Sequence, residues 1–243
     1  MQIQCLFDTS KIPRSYRQMM VSVIKNCIRL ADESYYAELY ETACNRPKPY
    51  CFAVFLKNFR MEEKEIHVEG LQLHLTSGDY RFLLTFLNGL QRTKTFQYKT
   101  YQLERKQIRM LPERQISSRK MLVKTLSPLL VEDGSHIPLA PSDPEYNRHF
   151  NAITERLMNT LSGRGRKEEI RITPVAVKKT VVQEQNREFV QRKGEDAVLY
   201  FTTYSGRFLL EGHPEDLKWL MDYGGGLRSA QGFGYLQPVM EVT

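Results

Sequence analysis

The chain has 243 residues, is 41% hydrophobic, and carries a formal net charge of +7 with a pI near 9.2. This length suits one large domain or two modules of roughly 100–120 residues, and the positive charge favours a polyanionic partner. No run of about 18 apolar residues is present, which excludes a membrane-spanning helix. The N-terminus lacks the order of a signal peptide and the four cysteines form no CxxC pair, so we expect a cytoplasmic protein with reduced thiols and without a zinc site.

The first half of the chain is predicted to alternate between strands and helices. The helix after Pro13 has one apolar stripe with helical spacing, formed by Met20, Val23, Ile24 and Cys27. The predicted elements are a strand at Met1–Phe7, this helix, a helical piece at Ala31–Thr42, a strand at Tyr50–Leu56, a hairpin of Glu62–Val68 with Leu71–Thr76 about Gly70, a helix at Tyr80–Leu90 and a strand at Phe96–Leu103. This order, β-α-β-β-α-β, is that of the ferredoxin-like unit.

The second half is predicted to repeat that order. Its elements are a strand at Met121–Leu130, a helix at Tyr146–Leu161, strands at Ile170–Val182 and Ala197–Leu210, a helix at Leu217–Asp222 and a strand at Tyr235–Val242. We therefore predict an α+β fold of two tandem ferredoxin-like modules packed side by side, with residues 1–115 in the first and 116–243 in the second.

A glycine-rich loop follows the last predicted helix. It places five glycines within eleven residues, from Gly224 to Gly234, around the sequence Leu-Arg-Ser-Ala-Gln. Glycine lets a backbone take positive φ and run close to a large neighbour. The loop is unlike a Walker A motif, because no lysine follows Gly232 or Gly234, and it lies at the wrong end of the chain for a dinucleotide fingerprint. A plain loop with helix-capping glycines is the alternative.

Basic residues are concentrated in two segments. Ten Lys or Arg lie between Gln91 and Leu130 against only Glu104 and Glu113, and a second cluster is Arg164–Lys167. Aromatic residues accompany the first segment, as stacking surfaces do in single-stranded RNA sites. A solvated strand face is the simpler alternative, but a neutral surface intersperses both signs of charge.

The doubled fold, the segment Lys124–Val131 and the glycine-rich loop ending in Gly-Phe-Gly-Tyr-Leu together resemble the RAMP superfamily of CRISPR-associated proteins. Within it the chain is most similar to the Cas6 endoribonucleases that process pre-crRNA, and the similarity spans essentially the whole sequence. The resemblance implies metal-independent cleavage of CRISPR repeat RNA with no cofactor. In that reaction a 2′-hydroxyl attacks the adjacent phosphate and leaves a 2′,3′-cyclic phosphate and a 5′-hydroxyl.

The resemblance also implies a catalytic site. Family members use a Tyr on the first helix, a His on the next and a Lys before the following strand. In this chain Lys25 stands at the Tyr position, Tyr40 at the His position and Lys48 at the Lys position. Tyr36 and Arg46 are alternative candidates for the catalytic site. Neighbouring lysines are expected to lower the pKa of Tyr40, or one lysine that of the other. The alternatives are a core aromatic for Tyr40, a solvated helix residue for Lys25 and a turn residue for Lys48.

RNA binding is assigned to two further groups of residues. The basic cluster Arg164–Lys167 and other basic residues are expected to bind an RNA backbone or a repeat stem. The residues are Arg114, Arg119, Lys120, Arg164, Arg166 and Lys167. The glycine-rich loop is expected to lie against RNA between the modules, through Gly226, Arg228, Ser229, Gly232 and Gly234.

The residues leave two functions open. One is an active pre-crRNA endoribonuclease; the other is a protein that holds crRNA in an effector complex without cutting it, which the missing histidine favours. CRISPR repeat RNA is the expected partner in both cases. Other effector subunits and a second copy of the chain stay open as partners.

Overall fold

The computed structural model describes residues 1–113, 115–185, 191, 194 and 197–241. The first module contains β1 (Gln2–Asp8), β2 (Lys11–Pro13), α1 (Tyr16–Ala31), α2 (Glu33–Ala37), a π-helical turn (Glu38–Thr42), β3 (Cys51–Leu56), β4 (Arg60–Met61), β5 (Glu65–His67), β6 (Leu71–Thr76), α3 (Tyr80–Arg92), β7 (Thr95–Tyr98) and β8 (Tyr101–Leu111). Its main sheet has the order β3-β6-β1-β8-β7. Without the edge strand β7, this is the strand order of a ferredoxin-like unit.

Two helices cover one face of this sheet. The predicted apolar stripe of α1 is buried in the core, and the Phe82, Phe86 and Leu90 side chains of α3 lie beside it. Asp79 caps α3 by accepting a hydrogen bond from the Phe82 N–H at 3.1 Å. The two helices approach so closely that a Cβ on Gly89 would lie 2.0 Å from the Cys27 carbonyl oxygen. This packing fixes α1, which carries the Lys25 side chain.

The predicted hairpin about Gly70 is wrong. Strand β5 pairs with β2 and β4 in a separate three-stranded sheet, whereas β6 lies between β1 and β3. The chain crosses between the two sheets at Gly70. Glycine is required there because φ is +128° and a Cβ would lie 2.9 Å from the Phe7 carbonyl oxygen. The strand predicted at Phe96–Leu103 is likewise a hairpin of β7 and β8, which turns at Lys99 with φ of +52°.

The second module repeats the topology of the first. Its elements are β9 (Lys120–Thr125), α4 (Tyr146–Ser162), β10 (Arg171–Glu184), β11 (Leu199–Glu211), α5 (Pro214–Tyr223), a 3-10 turn (Ser229–Gln231) and β12 (Leu236–Glu241). The sheet order is β10-β11-β9-β12, again that of a ferredoxin-like unit. The α+β fold of two tandem ferredoxin-like modules is therefore confirmed. The boundary at residues 115 and 116 stays a prediction; the first main sheet ends at Leu111 and the second begins at Lys120.

The glycine-rich loop packs against the first module. A Cβ on Gly224 would lie 2.7 Å from the Cys51 sulfur, and one on Gly232 would lie 2.9 Å from the Phe52 ring. The Cys51 thiol also donates a hydrogen bond to the Phe233 carbonyl oxygen at 3.2 Å. The large neighbour that these glycines accommodate is thus the protein itself, and the loop joins the two modules along one side of a cleft. None of the described helices is long and apolar enough to cross a membrane.

Candidate active site

A cleft of about 870 Å³ lies between the two modules. Its first wall comes from α1 and the segment that connects the π-helical turn to β3, and its second wall comes from α4 and the glycine-rich loop. The predicted catalytic residues Lys25, Tyr40 and Lys48 all line it. The fold therefore brings together three side chains that are up to 23 positions apart in the sequence.

Tyr40 lies between the two lysines. The ammonium nitrogen of Lys25 is 4.8 Å from the centroid of the Tyr40 ring, and that of Lys48 is 5.7 Å from it. Both distances lie within the range of cation–π attraction. Tyr40 belongs to the π-helical turn, and one helical turn before it the Tyr36 ring packs on it with centroids 5.2 Å apart. The core-aromatic alternative is thus partly right, because Tyr40 is packed on one side and lines the cleft on the other.

Burial raises the pKa of Tyr40 well above its usual range, and the neighbouring Tyr50 adds to that effect. The prediction that the lysines lower this pKa is wrong, because the cost of removing a phenolate from water exceeds their attraction. The Tyr40 hydroxyl donates a hydrogen bond to the Tyr50 oxygen at 3.3 Å. It therefore stays protonated at neutral pH and is a proton donor rather than a base.

Lys48 is held by the segment that precedes β3. Its ammonium donates hydrogen bonds to the carbonyl oxygens of Ala43 at 2.6 Å, Cys44 at 3.2 Å and Arg46 at 2.7 Å. Burial lowers the pKa of Lys48, and the charge of Lys25 acts in the same direction. The expectation that one lysine lowers the pKa of the other agrees with this pair. These hydrogen bonds also order the segment between the π-helical turn and β3, which agrees with the alternative interpretation of Lys48 as a turn residue.

The second wall supplies additional cations and hydroxyls. Arg228 has a left-handed backbone with φ of +62°, bonds the Gln231 amide oxygen at 3.1 Å and lies 4.6 Å from the centroid of the Phe201 ring. Ser229 follows it along the edge of the cleft. Arg156 of α4 also lines the cleft and was missed from the sequence. It lies outside both basic segments, so no local excess of charge marked it.

The predicted RNA-binding cluster is paired with acidic residues, and its contact with RNA stays a prediction. Arg164 contacts Asp216 at 2.7 Å, Arg166 contacts Glu155 at 2.9 Å and Lys167 contacts Glu215 at 2.5 Å. We call these six residues the α4–α5 network. Arg119 and Lys120 pair with Glu168 and Glu211 on the same module. The described side chains of this group do not line the cleft, and Arg114 lies outside the described residues.

The three glycines assigned to RNA binding are buried. Gly226, Gly232 and Gly234 face the chain's own atoms, and a Cβ on Gly234 would lie 1.9 Å from the Gly225 carbonyl oxygen. Their positive φ values serve the packing of the loop. Within the glycine-rich loop, Arg228 and Ser229 are the predicted residues that the fold presents to the cleft. RNA contact by the glycines stays a prediction.

The histidines of the first module lie away from the cleft. Burial lowers the pKa of His74 to about 4. His67 lies 3.3 Å from both the Glu62 and the Glu65 carboxylates, and ligand atoms of the three residues lie within 4.8 Å of one another. This cluster was not predicted from the sequence. Arg60 and Lys11 already pair with its two carboxylates.

Comparison with known proteins identifies a family. The family profile described as "CRISPR associated protein Cas6, C-terminal" matches residues 111–238. No curated protein sequence is significantly similar. Three solved structures share the fold: a Cas6-related protein from Pyrococcus furiosus, a RAMP protein binding different RNA substrates, and a Cas6 product complex from Thermus thermophilus.

The structural similarity covers the whole chain. The Pyrococcus protein is 19% identical with a TM-score of 0.81, and the match covers 100% of this chain and 99% of that one. The RAMP protein is 15% identical with a TM-score of 0.80, covering 99% and 100%. The Thermus protein is 12% identical with a TM-score of 0.69, covering 98% and 99%. At these identities the likeness shows the fold alone.

Proposed function

This chain belongs to the Cas6 family of CRISPR-associated proteins, and on that premise we propose that it binds CRISPR repeat RNA in the cleft and cleaves it without a metal ion. The observation that carries the proposal is the placement of Lys25, Tyr40 and Lys48 in one cleft with Arg156 and Arg228 opposite them. Two lysines on one wall and two arginines on the other attract a phosphodiester backbone. A single strand is the form of RNA whose bases stay accessible to such a cleft.

The chemistry follows from the protonation states of the site. The 2′-oxygen attacks the adjacent phosphorus while the bond from phosphorus to the 5′-oxygen breaks. The neutral amine of Lys48 accepts the 2′-hydroxyl proton, since its lowered pKa raises the fraction of amine available. The protonated Tyr40 hydroxyl gives a proton to the departing 5′-oxygen. The Lys25 ammonium stabilises the phosphorane charge.

Lys48 must change its partners during this step. Its three hydrogen bonds to carbonyl oxygens satisfy an ammonium completely. A neutral amine donates only two hydrogen bonds and keeps a lone pair, so loss of one proton frees a direction toward the substrate. The weakest of the three bonds, to Cys44 at 3.2 Å, is the one we expect to be given up.

A second function is supported by the same residues. A Lys48 fully occupied by carbonyl oxygens, and a Tyr40 that resists ionisation, also describe a protein that binds repeat RNA without cutting it. In that case the cleft holds crRNA for an effector complex. The absence of a histidine at the Tyr40 position favours this alternative.

One assay separates the two functions. Labelled transcripts of the repeats from the source genome are incubated with the protein in EDTA, and the products are tested for a 2′,3′-cyclic phosphate. We expect cleavage, and we expect Tyr40→Phe and Lys48→Met each to slow it by roughly 10²–10⁴-fold, because each removes a proton-transfer group. RNA affinity, measured by fluorescence anisotropy, should change little for Tyr40→Phe and fall only modestly for Lys48→Met, which also removes one positive charge of the cleft.

Matched substitutions outside the cleft serve as controls. Tyr80→Phe removes an exposed hydroxyl that bonds Glu113 at 3.0 Å, and Lys64→Met removes an exposed lysine of the turn before β5. Neither should affect cleavage. If repeat RNA binds but stays intact, the proposed cleavage is wrong and the protein binds repeat RNA without cutting it. If an active protein is slowed by neither cleft substitution, the assigned site is wrong.

A further inference from the structure

A second cavity adjoins the cleft and is not used by the proposed reaction. It has a volume of about 420 Å³ and shares three lining residues with the cleft, namely Leu227, Arg228 and Arg156. An RNA strand whose phosphate lies at Lys25 therefore passes within reach of this cavity. The inference below rests on the proposed function, because it concerns a neighbouring nucleotide of the same strand.

The walls of the cavity combine apolar and polar side chains. Ala152 and Ile153 on α4 and Leu227 on the glycine-rich loop contribute apolar surface from two directions. The volume lies within the range of small-molecule sites, which are mostly apolar with a few polar groups that fix orientation. Unpaired bases of RNA are held in this way, stacked on side chains and hydrogen-bonded along their edges.

Donors lie on the side of the cavity that faces the cleft. Arg156 and Arg228 both line it. Arg228 is already oriented by its bond to Gln231 and by the Phe201 ring. Across the part of the chain that the structure describes, the Arg156 guanidinium forms no ion pair and no side-chain hydrogen bond. Its five N–H donors are therefore available to a ligand.

An acceptor lies among the residues between β9 and α4. The Glu132 side chain lines the cavity with 10% of its surface exposed, and the His136 ring nitrogen is 3.6 Å from one of its oxygens. The neighbouring Asp133 is less available, since one of its oxygens accepts backbone N–H bonds from Ser135 and Ile137 at 2.8 and 2.9 Å. Glu132 is thus the carboxylate that can face a ligand.

We infer that this cavity binds an unpaired guanine base of the RNA, adjacent to the cleaved phosphate. Guanine alone among the four bases offers two parallel N–H donors, at N1 and N2, that match the two oxygens of a carboxylate. Its O6 and N7 atoms are acceptors that an arginine binds in bidentate fashion. Adenine and cytosine place an amino group where guanine has O6, and uracil offers a single N–H donor. Glu132 and Arg156 thus select guanine by its adjoining Watson–Crick and Hoogsteen edges.

The inference is tested with short RNA probes rather than with a repeat of known sequence. Three fluorescent decamers of uridine carry one central guanosine, inosine or 7-deazaguanosine, and the fourth is all uridine. Inosine lacks the N2 amino group and 7-deazaguanosine lacks the N7 acceptor. With the wild-type chain, we expect guanosine to tighten binding roughly 10-fold over oligouridine, and each analogue to lose a large part of that gain.

Two substitutions in the cavity assign the contacts. Glu132→Gln keeps the shape of the side chain and should abolish the preference for guanosine over inosine. Arg156→Ala should abolish the preference for guanosine over 7-deazaguanosine. Glu169→Gln and Arg171→Ala, at exposed positions just before β10 and at its first residue, should leave both preferences intact. Circular dichroism and thermal unfolding of each variant show whether it is folded.

The outcomes are distinguishable. Binding of all four decamers with equal affinity, or a guanosine preference that survives both cavity substitutions in folded protein, overturns the guanine site and leaves the proposed function standing. If no decamer and no repeat RNA binds the folded wild-type chain, the proposed function fails as well. A preference for adenosine, tested in a fifth decamer, also overturns the assignment.

Discussion

The cleft and the α4–α5 network contain similar numbers of basic residues, but the two regions use them differently. In the network each cation has an acidic partner, and the Asp216 carboxylate is fully buried beneath Arg164. In the cleft, Lys25 and Lys48 lie against an aromatic ring, and Arg156 has no acidic partner among the described residues. The two regions therefore differ in the acidic side chains that accompany their basic residues, rather than in the basic residues themselves.

This contrast shows why a run of basic residues does not by itself indicate an open cationic surface. Arg164, Arg166 and Lys167 are adjacent in the sequence, but their partners Glu155 and Glu215 come from segments that a local count of charge does not include. An ion pair consumes the donors that a phosphate requires. Arg156 lies apart from the basic segments in the sequence and has no ion pair among the described residues, so its donors are open to a phosphate.

Among substitutions that test the comparison of the cleft with the α4–α5 network, the largest effect is expected for the network. Asp216→Ala should lower the free energy of unfolding by about 3–5 kcal/mol, because it leaves Arg164 without its partner and removes the acceptor of the Lys167 backbone N–H at 2.7 Å. Urea unfolding measures this. Glu215→Ala, which breaks the neighbouring exposed pair with Lys167, should have little effect.

RNA affinity of the folded Asp216→Ala protein should stay close to that of the wild type. A structural network predicts a loss of stability without a loss of binding. If the affinity for repeat RNA falls strongly while Glu155→Gln and Glu215→Ala leave it intact, the network is part of the RNA site and the comparison fails.

A buried acid at the junction of the modules should have the next largest effect. The Glu184 carboxylate lies 3.5 Å from Arg17, and its second oxygen has no hydrogen-bond partner among the described residues. Burial raises its pKa from 4.5 to about 7. Since the folded pKa exceeds the unfolded one, the unfolded chain ionises first, and stability falls by roughly 2–3 kcal/mol as pH rises from about 5 to 7.

Glu184→Gln should remove this dependence. The difference in unfolding free energy between the variant and the wild type should move in favour of glutamine as pH rises through that window, and level off above it. Glu169→Gln, at an exposed position, provides the matched control. A difference that is the same at pH 5 and pH 8 would mean that Arg17 keeps Glu184 ionised throughout.

Most of the fold could be predicted because its elements carry strong periodicity. The apolar stripe of α1 and the alternating leucines of β6 specify their faces directly. Strand β5 could not be placed, since its partner β2 is a three-residue strand more than 50 positions earlier and without a pattern of its own. Local pattern identifies an element; it does not identify a distant partner.

The candidate site was predicted in part. Lys25, Tyr40 and Lys48 came from the resemblance, and the fold brings them together. The pKa of Tyr40 was predicted with the wrong sign, because the sequence shows the neighbouring charges but not the packing of Tyr50 that excludes water. Arg156 escaped notice since its place in the cleft depends on how the second module packs against the first.

The smallest effect concerns the coupling between the two cleft lysines. Lys25 contributes to the lowered pKa of Lys48, although burial is the larger cause. A base is active in its neutral form, so the rate of RNA cleavage should rise with pH up to the pKa of Lys48. Lys25→Gln removes a positive charge, which raises that pKa and moves the rising limb of the pH–rate profile to higher pH.

Lys25→Arg keeps the charge and should leave the limb in place, even if the rate falls. Single-turnover cleavage across pH 5.5–9.5 measures both positions. A limb that shifts equally in the two variants would show that side-chain shape, rather than charge, couples Lys25 to Lys48.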